Sequence, residues 1–174
     1  MLHLYRANAI GENLETQRVQ VAANKTNAIH LGDIVAIGAD GYGFRAIGNV
    51  NPAIADPVVG ACVAIYDNSG NATLIDAFGT SDHLGAYIPA LNTGLLTVIN
   101  DLDARYVFSC DGVLTQTDVG NGINLMTTGD QQLDHLTAAG AAGARQFTIM
   151  DIYSDADGNQ WVECKVQSTN QFDT

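Results

Sequence analysis

Along most of this chain apolar side chains recur at every second position, and the runs are broken by Asp-Gly pairs and clusters of small polar residues. This pattern constrains the fold more than any other feature. A strand turns successive side chains to opposite faces, whereas a helix returns to one face every three to four residues. Val19, Val21 and Ala23 alternate with Arg18, Gln20 and Ala22, which predicts a half-buried strand. Ile29-His30-Leu31 leads through Gly32-Asp33 into Ile34-Val35-Ala36-Ile37. After Asp40-Gly41, Tyr42, Phe44 and Ala46 alternate with Gly43, Arg45 and Ile47. An Asp-Gly pair between two apolar runs predicts a hairpin turn with positive φ at both central residues. The run from Val58 to Tyr66 is nearly all apolar and predicts a strand covered on both faces. Turn chemistry from Asp67 to Asn71 then returns the chain through Ala72 to Phe78.

The second half continues in the same style. Gly94 to Ile99 and Ala104 to Cys110 predict strands around Asp101 to Asp103, and Asp111-Gly112 predicts a turn into Val113-Leu114-Thr115. Phe147 to Tyr153 and Trp161 to Val166 flank Ser154-Asp155-Ala156-Asp157-Gly158-Asn159, the clearest hairpin in the chain. The helical signal is weak: Gln131 to Ala139, with Leu133 and Leu136, predicts two turns ending at Gly140. The Ala/Gly-rich stretch from Thr137 to Gly143 reads as a loop. Pro52, Pro57 and Pro89 are the only prolines, so no proline-rich linker separates domains. The expectation is one all-β domain over residues 16–174, a barrel or sandwich of about ten short strands, with under about a fifth of its residues helical. Residues 1–15 have no clean period and are expected to form an extended N-terminal arm.

Charge narrows the function classes. Only 15% of residues are charged, against roughly 25% in an average domain. Nineteen acids face seven bases, for a net charge of −12. Phosphate contacts need clustered Arg and Lys, so nucleic acid is excluded as a partner. No apolar run approaches the roughly 20 residues of a membrane span, and the start lacks the basic stretch and apolar core of a secretory signal. The glycosylation patterns Asn24-Lys25-Thr26 and Asn71-Ala72-Thr73 therefore carry no weight. Cys62, Cys110 and Cys164 are widely spaced inside apolar runs. They read as buried thiols in a reducing compartment, not a disulfide framework or a zinc site.

No catalytic site announces itself. Asp155-Ala156-Asp157-Gly158-Asn159 resembles a calcium loop, yet aligning its glycine puts Tyr153 and Cys164 where carboxylates belong, so a plain turn is favoured. Ser81-Asp82-His83 holds three triad residue types, but a triad arises by convergence in space and no G-x-S-x-G is present. His3, His30, His83 and His135 are too far apart for a metal-binding helix. Cys110 lacks a nominated base, and Gly41-x-Gly43 followed by Gly48 has the wrong spacing for a dinucleotide fingerprint. Trp161 opens the last strand and reads as core, not as a sugar-stacking platform. The expectation is no enzyme, no cofactor and no metal. An exterior this poor in Lys and Glu resembles an interface core more than a free surface, which favours an assembled structural protein.

Several segments in order then carry a resemblance: Tyr66-Asp67-Asn68-Ser69-Gly70-Asn71; Tyr106-Val107-Phe108-Ser109-Cys110-Asp111-Gly112; Asp118-Val119-Gly120-Asn121-Gly122-Ile123-Asn124-Leu125; Thr127-Thr128-Gly129 with Leu133-Asp134; and the closing hairpin. Over residues 58–167 the chain resembles the head decoration, or cement, proteins of tailed bacteriophages. The resemblance implies a β-rich structural protein on the outer face of the virion capsid, made in the host cytoplasm. It also implies a homotrimer that binds the major capsid protein and has no catalytic residues. The last strand departs from it, with Lys165-Val166-Gln167 where an Asn-containing ending is expected. The alternative is a receptor- or carbohydrate-binding β module of a tail fibre, although no repetitive shaft precedes the strands. The arm residues Leu2, Leu4, Tyr5, Ile10 and Leu14 are the candidate capsid or subunit interface, because an extended arm can add to an exposed sheet edge.

Overall fold

The computed structural model describes residues 15–47, 57–66, 87–88, 90–101, 103–127, 131–139 and 145–167. The chain is all-β: 54% of these residues lie in strands, and helix among them is limited to a single 3-10 turn at Gln116–Asp118. The return run over 72–78, the Ser81-Asp82-His83 triplet and the arm residues Leu2, Leu4, Tyr5, Ile10 and Leu14 lie outside the described residues. Among the described residues ten strands make two five-stranded antiparallel sheets, and two more make a short ribbon. The chain divides into two compact units, and each holds one sheet.

In the first unit the strands are β1 (Thr16–Val21), β2 (Ile29–His30), β3 (Ile34–Ile37), β4 (Gly43–Arg45), β5 (Val58–Tyr66), β6 (Tyr87–Ile88) and β7 (Gly94–Ile99). The sheet runs β1-β7-β5-β3-β4, and β2 pairs with β6. Alternation along β1 buries Val19 and Val21 and exposes Gln20. All four residues of β3 are buried, as an inner strand requires. The two edges of this sheet approach each other. A Cβ on Gly43 of β4 would collide with Val19 Cγ1 of β1 and stand 3.6 Å from the Gln20 carbonyl. The sheet is therefore curled towards a barrel, and glycine is what lets its edges meet.

β5 corrects one expectation. Its first five residues are buried on both faces, but Val63 is 37% exposed. Cys62 pairs with Val98 and Ala64 with Thr97, so Val63 is an extra residue in a bulge that turns it to solvent.

The second unit carries β8 (Tyr106–Ser109), β9 (Gly122–Leu125), β10 (Leu133–Ala139), β11 (Phe147–Ser154) and β12 (Gln160–Val166), in the order β10-β9-β11-β12-β8. Its ends also meet. Cys110, directly after β8, bridges Leu133, the first residue of β10, and the Asp111 N–H donates to the Leu133 carbonyl at 3.0 Å. The core is lined by Tyr106, Phe108, Ile123, Leu125, Phe147, Ile149, Val162 and Cys164, all buried. Phe108 and Phe147 meet edge to face at 5.1 Å.

Two of the Asp-Gly pairs make hairpins, but not of the two-residue kind expected. In the β3–β4 loop the Gly38 N–H donates to Tyr42 O and the Gly41 N–H to Gly38 O. In the β11–β12 loop Asp155 N donates to Asn159 O, and Gly158 N to Asp155 O. Both are five-residue loops closed by a left-handed glycine, with φ of +79° at Gly41 and +83° at Gly158. Asp40 and Asp157 keep negative φ, so the turn is type I with a glycine bulge. Asp111-Gly112 makes no hairpin. The segment Val113-Leu114-Thr115 pairs with no strand among the described residues. The side chain of Gln160 serves both backbone groups of Leu114 instead, donating to its carbonyl and accepting from its N–H at 2.8 Å each.

Residues 133–139 form strand β10 where two helical turns were expected. Leu133 and Asp134 pair with Leu125 and Asn124, then Ala139 pairs with Gly122, which leaves residues 135–138 as a wide bulge. The free edge of β9 overrides a weak local helix preference. Leu133 enters the core, while Leu136 is 80% exposed. The loop expected from Thr137 is strand as far as Ala139. Trp161 is also corrected. Val162, Cys164 and Val166 take the core face of β12, so period-two geometry places Trp161 on the other face, half-buried beside Tyr153.

Candidate functional site

Asp111, Asp134 and His135 converge where the second sheet closes on itself. Asp111 follows the bridging Cys110, and Asp134-His135 follows its partner Leu133, so strand closure alone brings them together across 24 residues of sequence. The Asp111 Oδ1 accepts the His135 backbone N–H and meets its Nδ1, each at 2.8 Å. The Asp134 Oδ1 accepts the Leu136 N–H at 3.0 Å. The imidazole lies flat in a space that only glycine leaves open: a Cβ on Gly112 would collide with the His135 ring. Partial burial works to raise the Asp111 carboxyl, and the hydrogen bonds from His135 more than offset it, holding it below the usual carboxylate value. One ligand atom from each of the three residues lies within 4.8 Å of the others.

Cys110 is adjacent but not activated. Its Sγ donates to the Leu133 carbonyl at 3.4 Å, and burial pushes the thiol up. Cys62 and Cys164 are buried and free, with Cys62 raised to about 12 by burial and the Asp33 charge. Such thiols stay protonated and serve as packing groups.

In the first unit Asp33 is buried between His30 and Arg45. Its Oδ2 accepts the His30 N–H at 2.8 Å and stands 3.3 Å from His30 Nδ1 and 3.1 Å from Arg45 Nε. A depression of about 450 Å³ lies between the β1–β2 and β3–β4 loops, lined by Asn24, Lys25, Asp40 and Phe44 among others. The Lys25 ammonium bonds the Asp40 carboxylate at 2.8 Å and sits 5.4 Å from the centre of the Phe44 ring, which closes off the charged part of that depression.

The calcium-like loop is a hydrogen-bonded turn. The Asp155 carboxylate accepts the Asp157 and Asn159 N–H groups, the Asn159 amide and the Trp161 indole N–H. The indole bond leads a set that holds Asp155 down to about 2. Trp161→Phe removes that donor and is expected to raise the Asp155 pKa towards the usual value, read by carboxyl carbon NMR titration.

Sequence reasoning considered Cys110 and His135 separately and missed the cluster. No local spacing links Asp111 to Asp134-His135, which stand 23 and 24 residues further on and meet Asp111 only through the Cys110–Leu133 bridge. The chain matches no protein-family model, and no curated protein is significantly similar to it.

Proposed function

We propose that this chain is a structural virion protein that decorates and stabilises the outer face of a phage capsid by binding the major capsid protein, with the seam of the second unit as part of its assembly surface. One observation carries this reading. Val113 and Leu136 are the most exposed large apolar residues among those described, at 80% each. They flank the same contact, since Val113 follows Gly112 and Leu136 follows His135, whose ring lies on that glycine. Two aliphatic side chains standing in water, each next in sequence to a member of that contact, on a chain with 15% charged residues, suit a surface that another protein covers. The low charge and the resemblance of residues 58–167 to decoration proteins support the same reading, including a homotrimer.

The test is capsid binding by the double variant Val113→Ser, Leu136→Ser. Both side chains are exposed, so folding is expected to be unchanged by circular dichroism, while affinity for capsids falls about tenfold or more. Undiminished occupancy with the variant overturns this assignment of the surface. Sedimentation of the free protein reads the trimer. The tail-fibre alternative draws on one feature, the Tyr153–Trp161 cross-strand aromatic pair on the outward face of β11 and β12. Glycan binding lost on Trp161→Ala would favour it over decoration.

A further inference from the structure

The geometry points to a binding site for a divalent transition-metal cation of the zinc class at the seam of the second unit, with Asp111, Asp134 and His135 as its protein ligands. The donor set is mixed. One imidazole and two carboxylates present ligand atoms within 4.8 Å of one another, from two chain segments that the closing of the sheet fixes in place. The His135 Nδ1 and Asp111 Oδ1 stand 2.8 Å apart. That contact is a hydrogen bond whose proton an ion replaces; metal–nitrogen and metal–oxygen bonds of about 2.0–2.2 Å set neighbouring ligands roughly 3 Å apart around one ion, so the pair ligates with little movement once that proton leaves.

The site is also held and open. Gly112 leaves room for the imidazole and packs against it, which limits its rotation. The hydrogen bonds described above fall on Oδ1 of Asp111 and Oδ1 of Asp134, and the second oxygen of each carboxylate lies outside them. The contrast with Asp155 is direct: there both oxygens are taken by donors from its own turn and from Trp161, and nothing is left to offer an ion. Two carboxylates with oxygens within 4.8 Å of each other, on a chain of net charge −12, repel, and a cation bound by both relieves that repulsion. Imidazole with carboxylates suits zinc, cobalt or nickel, whereas calcium and magnesium take oxygen ligands alone. Only partial burial and three protein ligands leave further positions to water. Cys110, with Sγ 4.0 Å from Asp111 Oδ1 and its thiol kept protonated by burial, stays outside the set.

The test uses the full chain without an affinity tag. Zn²⁺ is titrated calorimetrically, and Co²⁺ is followed by its visible absorption. Wild-type protein is expected to bind one ion per chain. His135→Ala and Asp134→Asn are each expected to weaken binding about tenfold or more. Asp134→Asn keeps an oxygen to accept the Leu136 N–H, so its loss of binding is not a loss of fold, and its melting temperature in chelator is expected to match the wild type. Cys110→Ser is expected to bind as the wild type does. Zn²⁺ binding that survives both ligand variants, that vanishes with Cys110→Ser, or that Mg²⁺ matches at equal concentration overturns the assignment.

Discussion

Replacing Asp33 by alanine lowers the free energy of unfolding by about 3–5 kcal/mol, the loss expected when one member of a buried ion pair is removed and its partner is left behind. The Asp33 carboxylate is 5% exposed and holds three groups at once: the His30 N–H, the His30 ring and the Arg45 guanidinium. Those contacts tie the turn after β2 to strand β4, the edge that curls back towards β1. Urea unfolding of Asp33→Ala and the wild type gives the difference, and a loss below about 1 kcal/mol would show that the group acts as an exposed pair does. The same contact sets a pH dependence. Burial raises the Asp33 carboxyl, but the hydrogen bond from His30 and the Arg45 charge outweigh it, so the folded value lies below 3.8. A depressed folded pKa contributes stability that is fully present above the unfolded value and is lost as pH falls through the folded one. Wild-type stability is therefore expected to drop below about pH 4 from this group, and Asp33→Ala removes that part of the acid loss.

Phe147→Ala is expected to cost about 3–5 kcal/mol, from lost burial together with the cavity left in the second unit. The ring is fully buried at 0% exposure and packs edge to face on Phe108 at 5.1 Å. Phe147 pairs with Ile123 on one side and Val166 on the other, so its loss is felt by three adjacent strands. Phe147→Leu retains most of the volume and is expected to cost about half as much or less. Thermal unfolding followed by circular dichroism checks both, and equal melting temperatures for the alanine and leucine variants would show that the site collapses around the gap.

Much of the fold was legible in the sequence because strands write their burial in alternate residues. Val19 and Val21 sit where alternation put them, and so do Val162, Cys164 and Val166. The same rule, followed strictly, also excludes Trp161 from the core, and reading it as core gave hydrophobicity priority over phase. The two Ala-Asp-Gly turns, at 39–41 and 156–158, were recognisable because only glycine adopts their left-handed corner without strain. The five-residue loop type was not, since it depends on how the flanking strands register.

The sequence by itself determined the class of structure: all-β, with thiols for packing and a strongly acidic, charge-poor exterior. These properties follow from side-chain period and composition, which are local. Tertiary structure alone decided that residues 133–139 are a strand, that Gln160 stands in for a neighbour of Leu114, and that Asp111 meets His135. In each case the deciding partner lies at least eight residues away, across a sheet edge whose free N–H and C=O groups must be satisfied. Backbone hydrogen bonding of this kind depends on which edges meet when the sheet curls, and no run of adjacent residues carries that information.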